Sequence, residues 1–71
     1  MATPVLAHIA GTVWKIEVAV GDTVTTDQTV VILESMKMEM PVESPVEGRV
    51  SAIAVNPGDP VEEGTRLLDI E

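Results

Sequence analysis

The sequence predicts an all-β fold, a barrel-like sandwich built from two copies of one β-unit, and three observations carry that prediction. The first is composition. Of the 71 residues 45% are apolar, rich in Val and Ile, with Trp14 the one aromatic. β-branched side chains suit strands better than helices. The second is an internal repeat at an offset of 37 residues: positions 4–34 align with 41–71 without a gap. The third is punctuation. Turn residues recur every few positions, and no stretch holds a helical period over a useful length.

Ten of the 31 aligned pairs are identical: Pro4/Pro41, Val5/Val42, Gly11/Gly48, Val13/Val50, Ile16/Ile53, Val18/Val55, Gly21/Gly58, Asp22/Asp59, Val24/Val61 and Glu34/Glu71. Two valine-rich stretches would match valines by chance. They would not also bring both Gly-Asp pairs and both earlier glycines into register. Each copy reads as strand, turn, strand, turn, strand. Gly21-Asp22 and Gly58-Asp59 lie between apolar runs, where a turn requiring φ > 0 selects glycine. In the second copy Asn56-Pro57-Gly58-Asp59 places Pro and Gly at the central positions of a type II turn. Asp27 and Gly64 mark a second turn. Ile16 and Val18 share one face of a strand, as do Ile53 and Val55. Val13 and Val50 break that parity by one residue, which predicts a bulge or strong twist in both copies.

Two units too small to bury a core alone are expected to pack face to face about an approximate two-fold axis. Closure into a flattened barrel would also protect the strand edges. What the repeat leaves over is Ser35-Met36-Lys37-Met38-Glu39-Met40. With Val30–Glu34 entering as a strand and Met40–Glu43 leaving as one, positions 35–40 become the tip of a hairpin near the axis. Lys37 is thereby predicted to be highly exposed. Three methionines in such a turn, where polar residues are expected, point to a functional surface. Met is also a usual gap-filler, so Met36 and Met38 could plug the core instead, and Met40, which starts a strand, could do so equally.

The net charge of −8 disfavours nucleic acid and anionic membrane as partners, and suits either a basic protein surface or plain solubility. The longest apolar runs, Val30–Leu33 and Ala52–Val55, are far too short to span a bilayer. No Lys or Arg occurs in the first fourteen residues, so a secretory signal's charged start is missing. There is no cysteine to form a disulfide, and the expected setting is the cytoplasm. His8 has no cysteine or second histidine with which to hold a metal. The serines lack the turn context of a nucleophile, and the acidic residues lack calcium-loop spacing. The chain is therefore not expected to be an enzyme by itself.

Glu34-Ser35-Met36-Lys37-Met38, set at the centre of this repeat, resembles the signature of the biotinyl/lipoyl-domain family in its biotin form. The resemblance covers essentially the whole chain from Pro4 to Glu71. It implies a barrel-sandwich hybrid of two four-stranded antiparallel sheets, residues 1–71 forming one domain and one monomer. It further implies covalent biotin on Lys37, attached by a biotin–protein ligase, with Glu34, Ser35, Met36 and Met38 as flanking recognition residues. The attached biotin would then carry carboxylate between biotin carboxylase and carboxyltransferase sites. A solvated lysine amine is almost wholly protonated at neutral pH, so the ligase must supply the base or the desolvation. Lipoate is the near rival. Lipoyl members of the family place an acidic residue before the lysine and a small one after it, whereas Met36 and Met38 stand here. The family's acetyl-CoA carboxylase branch inserts a "thumb" before the motif, for which the gap-free repeat leaves no room. An unmodified barrel-sandwich interaction domain is the alternative from another class. With three residues ahead of the first copy, the chain is expected to be a free-standing carrier or a domain trimmed from a larger carboxylase subunit.

Overall fold

Eight strands follow from the pattern of turns: β1 Thr3–Leu6, β2 Gly11–Ile16, β3 Thr23–Val24, β4 Thr29–Ser35, β5 Met38–Glu43, β6 Gly48–Ile53, β7 Pro60–Val61 and β8 Arg66–Ile70. They were obtained in a computed structural model that describes residues 2–71. Two four-stranded antiparallel sheets result, ordered β1-β8-β6-β3 and β5-β4-β2-β7. Exchanging each strand for the one four places along the chain converts either order into the other. The all-β, two-sheet architecture expected from the sequence is thus the observed one.

The turns repeat atom for atom. Asp22 N–H donates to the Ala19 carbonyl and Asp59 N–H to that of Asn56, at 3.0 and 3.1 Å. The Asp22 and Asp59 carboxylates in turn accept from the Ala19 and Asn56 N–H groups, both at 2.9 Å. Gly21 and Gly58 occupy φ of 96° and 94°, as a type II turn requires at its third position. Asp27, at φ 69°, stands where the second copy has Gly64 at 91°. Aspartate tolerates the left-handed region better than most side chains. The bulge predicted after Val13 is present: the β2–β4 register shifts between Val13 and Lys15, leaving Trp14 unopposed. The β6–β8 register shifts equally between Val50 and Ala52, leaving Ser51 unopposed.

One expectation needs correcting. The two copies do not each form a sheet and then stack. They exchange strands, so that each sheet takes β1 and β3, or β2 and β4, from one copy and the remainder from the other. The turn of each copy also bonds across to the other: Gly21 N–H donates to the Val50 carbonyl, and Gly58 N–H to that of Val13. Interlocking follows from size. The sequence suggests three strands in each copy and the structure has four, but a unit of this size with one apolar face still leaves edge groups and core side chains uncovered, and exchange satisfies both.

The core runs between the sheets and keeps the repeat, with Val5/Val42, Val13/Val50, Val24/Val61, Val31/Leu68 and Leu33/Ile70 all buried. Open edges are managed by two-residue strands, β3 and β7, and by prolines, Pro4 and Pro41, on the other two edge strands. β1 pairs with β8 as β5 pairs with β4. The two-fold therefore puts the β4–β5 hairpin at one end of the molecule and the outer ends of β1 and β8, where Thr3 pairs with Ile70, at the other.

Candidate functional site

The β4–β5 hairpin is tighter than the sequence suggests. Both strands run further than expected, and Ser35 pairs with Met38 as the last rung. The loop is just Met36-Lys37, with φ of 53° and 63°. Two successive positive φ values mark a type I′ turn, whose twist matches that of the flanking strands. Such turns favour Asn and Gly, and here neither position has one. Holding two ordinary side chains in the left-handed region costs energy, and strain of this kind clusters at functional sites.

This geometry settles where each methionine belongs. Met36 is 91% exposed and Met38 61%, so neither plugs the core. Met40, two residues further along the inward face, packs against the core and lies opposite Leu33. Lys37 is exposed, and among the described residues the ion pairs are Lys15–Glu17 at 3.4 Å and Arg66–Asp69 at 3.3 Å. Its amine therefore stands on a short stiff loop with no carboxylate holding it. Glu34 is exposed and Ser35 half-buried beneath the tip.

The base of the hairpin is braced by β2. A Cβ added to Gly11 would lie 2.5 Å from the Glu34 carbonyl oxygen and 3.3 Å from Ser35 Cβ. Only glycine lets β2 approach the root of the tip that closely. Sequence reasoning missed one feature, namely that Glu34 and Glu39 face each other across the hairpin. A two-residue loop centred between Met36 and Lys37 would have shown it, because that loop length sets the register.

What the arrangement offers chemically is a primary amine presented to a large partner and framed by apolar side chains. Lys15 differs: it lies within β2 and is engaged by Glu17. His8 is exposed, and among the described residues no three His, Asp or Glu side chains converge as a metal site. A shallow open concavity of about 560 Å³, lined by Thr23, Arg49, Glu47 and Glu71 among others, lies beside the C-terminal residue, at the far end from Lys37.

Comparison with known proteins bears on the chain as a whole. The biotin/lipoyl family model, described as "Biotin-requiring enzyme", matches residues 1–70. The Biotin/lipoyl attachment protein of Bacillus subtilis is 43% identical over 63 residues, covering 89% of this chain and 86% of that protein. The Biotin-dependent acyl-coenzyme A carboxylase alpha3 subunit of Mycobacterium leprae is 45% identical over 67 residues, which cover 94% of this chain but 11% of the subunit. Among solved structures, the Urea Carboxylase of Kluyveromyces lactis superposes with a TM-score of 0.94 at 37% identity, over 100% of this chain and 6% of that one. Of a multidomain carboxylase the chain thus spans only a small part.

Proposed function

The chain belongs to the biotin/lipoyl attachment family, and from that premise we propose that it is a biotin carboxyl carrier whose Lys37 bears the biotin. The observation that carries this reading is the two-residue loop that presents Lys37 between Met36 and Met38, outside the ion pairs found among the described residues. A biotin–protein ligase would transfer the biotinyl group from its adenylate to the Lys37 amine. An amide bond forms, the acyl–phosphate bond of the adenylate breaks and the nucleotide monophosphate leaves, and the Lys37 ammonium gives up two of its three protons. When attached, biotin supplies a ureido nitrogen that takes up carboxylate at a biotin carboxylase site and releases it at a carboxyltransferase site. The chain's own contribution is positional. The short loop fixes where the arm is rooted, and Gly11 keeps that root pressed against β2. Glu34, Ser35, Met36 and Met38 form the surface that a ligase meets as it closes on Lys37. The protein is a substrate and carrier, not a catalyst, and we place its work in the cytoplasm.

Biotin is preferred to lipoate because methionines flank the lysine on both sides, in place of an acidic and a small residue. Mass spectrometry of chain made in its own cells tests the assignment. One biotinyl group is expected, on Lys37, and none on Lys37→Arg, because an arginine stays protonated and cannot attack the adenylate. Lys15→Arg should label normally. Biotin on the Lys37→Arg variant would sink the proposal, and a lipoyl mass on Lys37 would replace one cofactor by the other.

A further inference from the structure

The repeat provides an internal control for the outer faces of the barrel. Positions 37 apart share one backbone geometry, so the fold does not demand that their outward side chains differ. On the sheet that bears the hairpin several of them do differ. Trp14, the extra residue of the β2 bulge, precedes Lys15, which pairs with Ile32 and whose amine is engaged by Glu17 at 3.4 Å, and Ile32 pairs in turn with Pro41 on β5. Trp14 is 47% exposed, Pro41 is exposed and Ile32 half-buried, an apolar strip across three strands. Glu34 and Glu39 face each other on its tip side, and Glu43 lies beyond its other edge. Like charges directly opposite in a rung are unfavourable, yet this rung keeps both. The counterparts of Trp14, Ile32, Glu39 and Glu43 are Ser51, Asp69, Ala2 and Leu6. There Asp69 is paired with Arg66 at 3.3 Å, Leu6 is 47% exposed, and of the three carboxylates only that of Glu34 has a counterpart, in Glu71.

We propose that this outer face of β2, β4 and β5 is the docking surface for the enzyme that carboxylates the attached biotin, a protein presenting basic side chains around a small apolar contact. The inference rests on the carrier reading above. An enzyme that loads carboxylate handles anionic substrates, so a cationic field surrounds its mouth, and that field complements the Glu34, Glu39 and Glu43 carboxylates. Acylation of Lys37 removes a positive charge beside them and takes the formal net charge from −8 to −9. Attraction to a basic surface is therefore greatest once biotin is attached. A ligase that relied on the same attraction would be held by its own product. Trp14 supplies the short-range contact, since a half-exposed indole offers a large apolar area at little conformational cost.

The test uses fully biotinylated chain as the substrate of the biotin carboxylase from the same organism. Serine already occupies the equivalent bulge at position 51, so Trp14→Ser keeps the fold, and complete labelling by the ligase reports an intact tip. Trp14→Ser should raise KM about 10-fold with kcat little changed. Glu39→Gln combined with Glu43→Gln should raise KM at low salt and flatten the loss of kcat/KM as salt rises. Ser51→Ala, on the opposite face, should match the parent. A labelled Trp14→Ser chain with the parent's KM overturns the docking face, as does a defect confined to the ligase step. A parent chain that carries no biotin, or that is not carboxylated, overturns the carrier reading and the docking face with it.

Discussion

Replacing the loop Met36-Lys37 by Asn-Gly should make the protein more stable while abolishing its modification. Both residues sit in the left-handed region, at φ 53° and 63°. An L-residue held there costs about 1–2 kcal/mol, so the pair stores roughly twice that. Asparagine relieves part of the first cost by local hydrogen bonding. Glycine relieves all of the second but returns about 0.5–1 kcal/mol through the greater freedom of the unfolded chain. Neither substitution removes a packed side chain, because Met36 is 91% exposed and Lys37 is exposed as well. The net gain comes to about 1–2 kcal/mol. For a domain of this size that corresponds to a rise in Tm of roughly 5–15 °C. The single change Met36→Asn should deliver a smaller part of that gain and slow the ligase while leaving the amine in place. Thermal unfolding followed by far-UV circular dichroism measures the first effect, and intact mass after ligase treatment the second. If the Asn-Gly variant melts no higher than the parent, the loop is not strained, and the idea that stability has been traded here for presentation of Lys37 fails.

Two further outcomes are expected. Gly58→Ala should destabilise by about 1 kcal/mol or more, because Gly58 sits at φ 94° with open space around it, so that backbone strain alone is at work; an unchanged denaturation midpoint would contradict the turn assignment. Moving the lysine back one place, as Met36→Lys with Lys37→Met, should prevent labelling in a ligase assay although charge and composition are kept, since the two positions of a type I′ turn point their side chains differently; normal labelling would show that the ligase reads sequence without geometry.

Much of the molecule is decided locally and can be seen in the chain itself. The Gly-Asp pairs, the broken parity after Val13 and Val50, and the gap-free offset of 37 depend on turn chemistry and a period of two. These are properties of adjacent residues, so the all-β class, the bulges and a hairpin around Lys37 were legible without coordinates. The flanking methionines also pointed to that lysine, because exposed apolar residues in a turn are out of place. Tertiary structure decided whatever depends on which strand lies beside which. Strand exchange between the copies is one such outcome, since either unit alone offers the same edges to itself and to its twin. The length of the loop is another: the β4–β5 register, set by pairing along the whole hairpin, reduces six candidate residues to Met36 and Lys37. That register sends Met40 inward against Leu33 and leaves Met36 and Met38 in solvent, although all three are the same amino acid. It also sets Glu34 against Glu39 and gathers Trp14, Ile32 and Pro41 on one face. Residues that are remote in the chain become one surface only through non-local pairing, and no local pattern specifies that pairing.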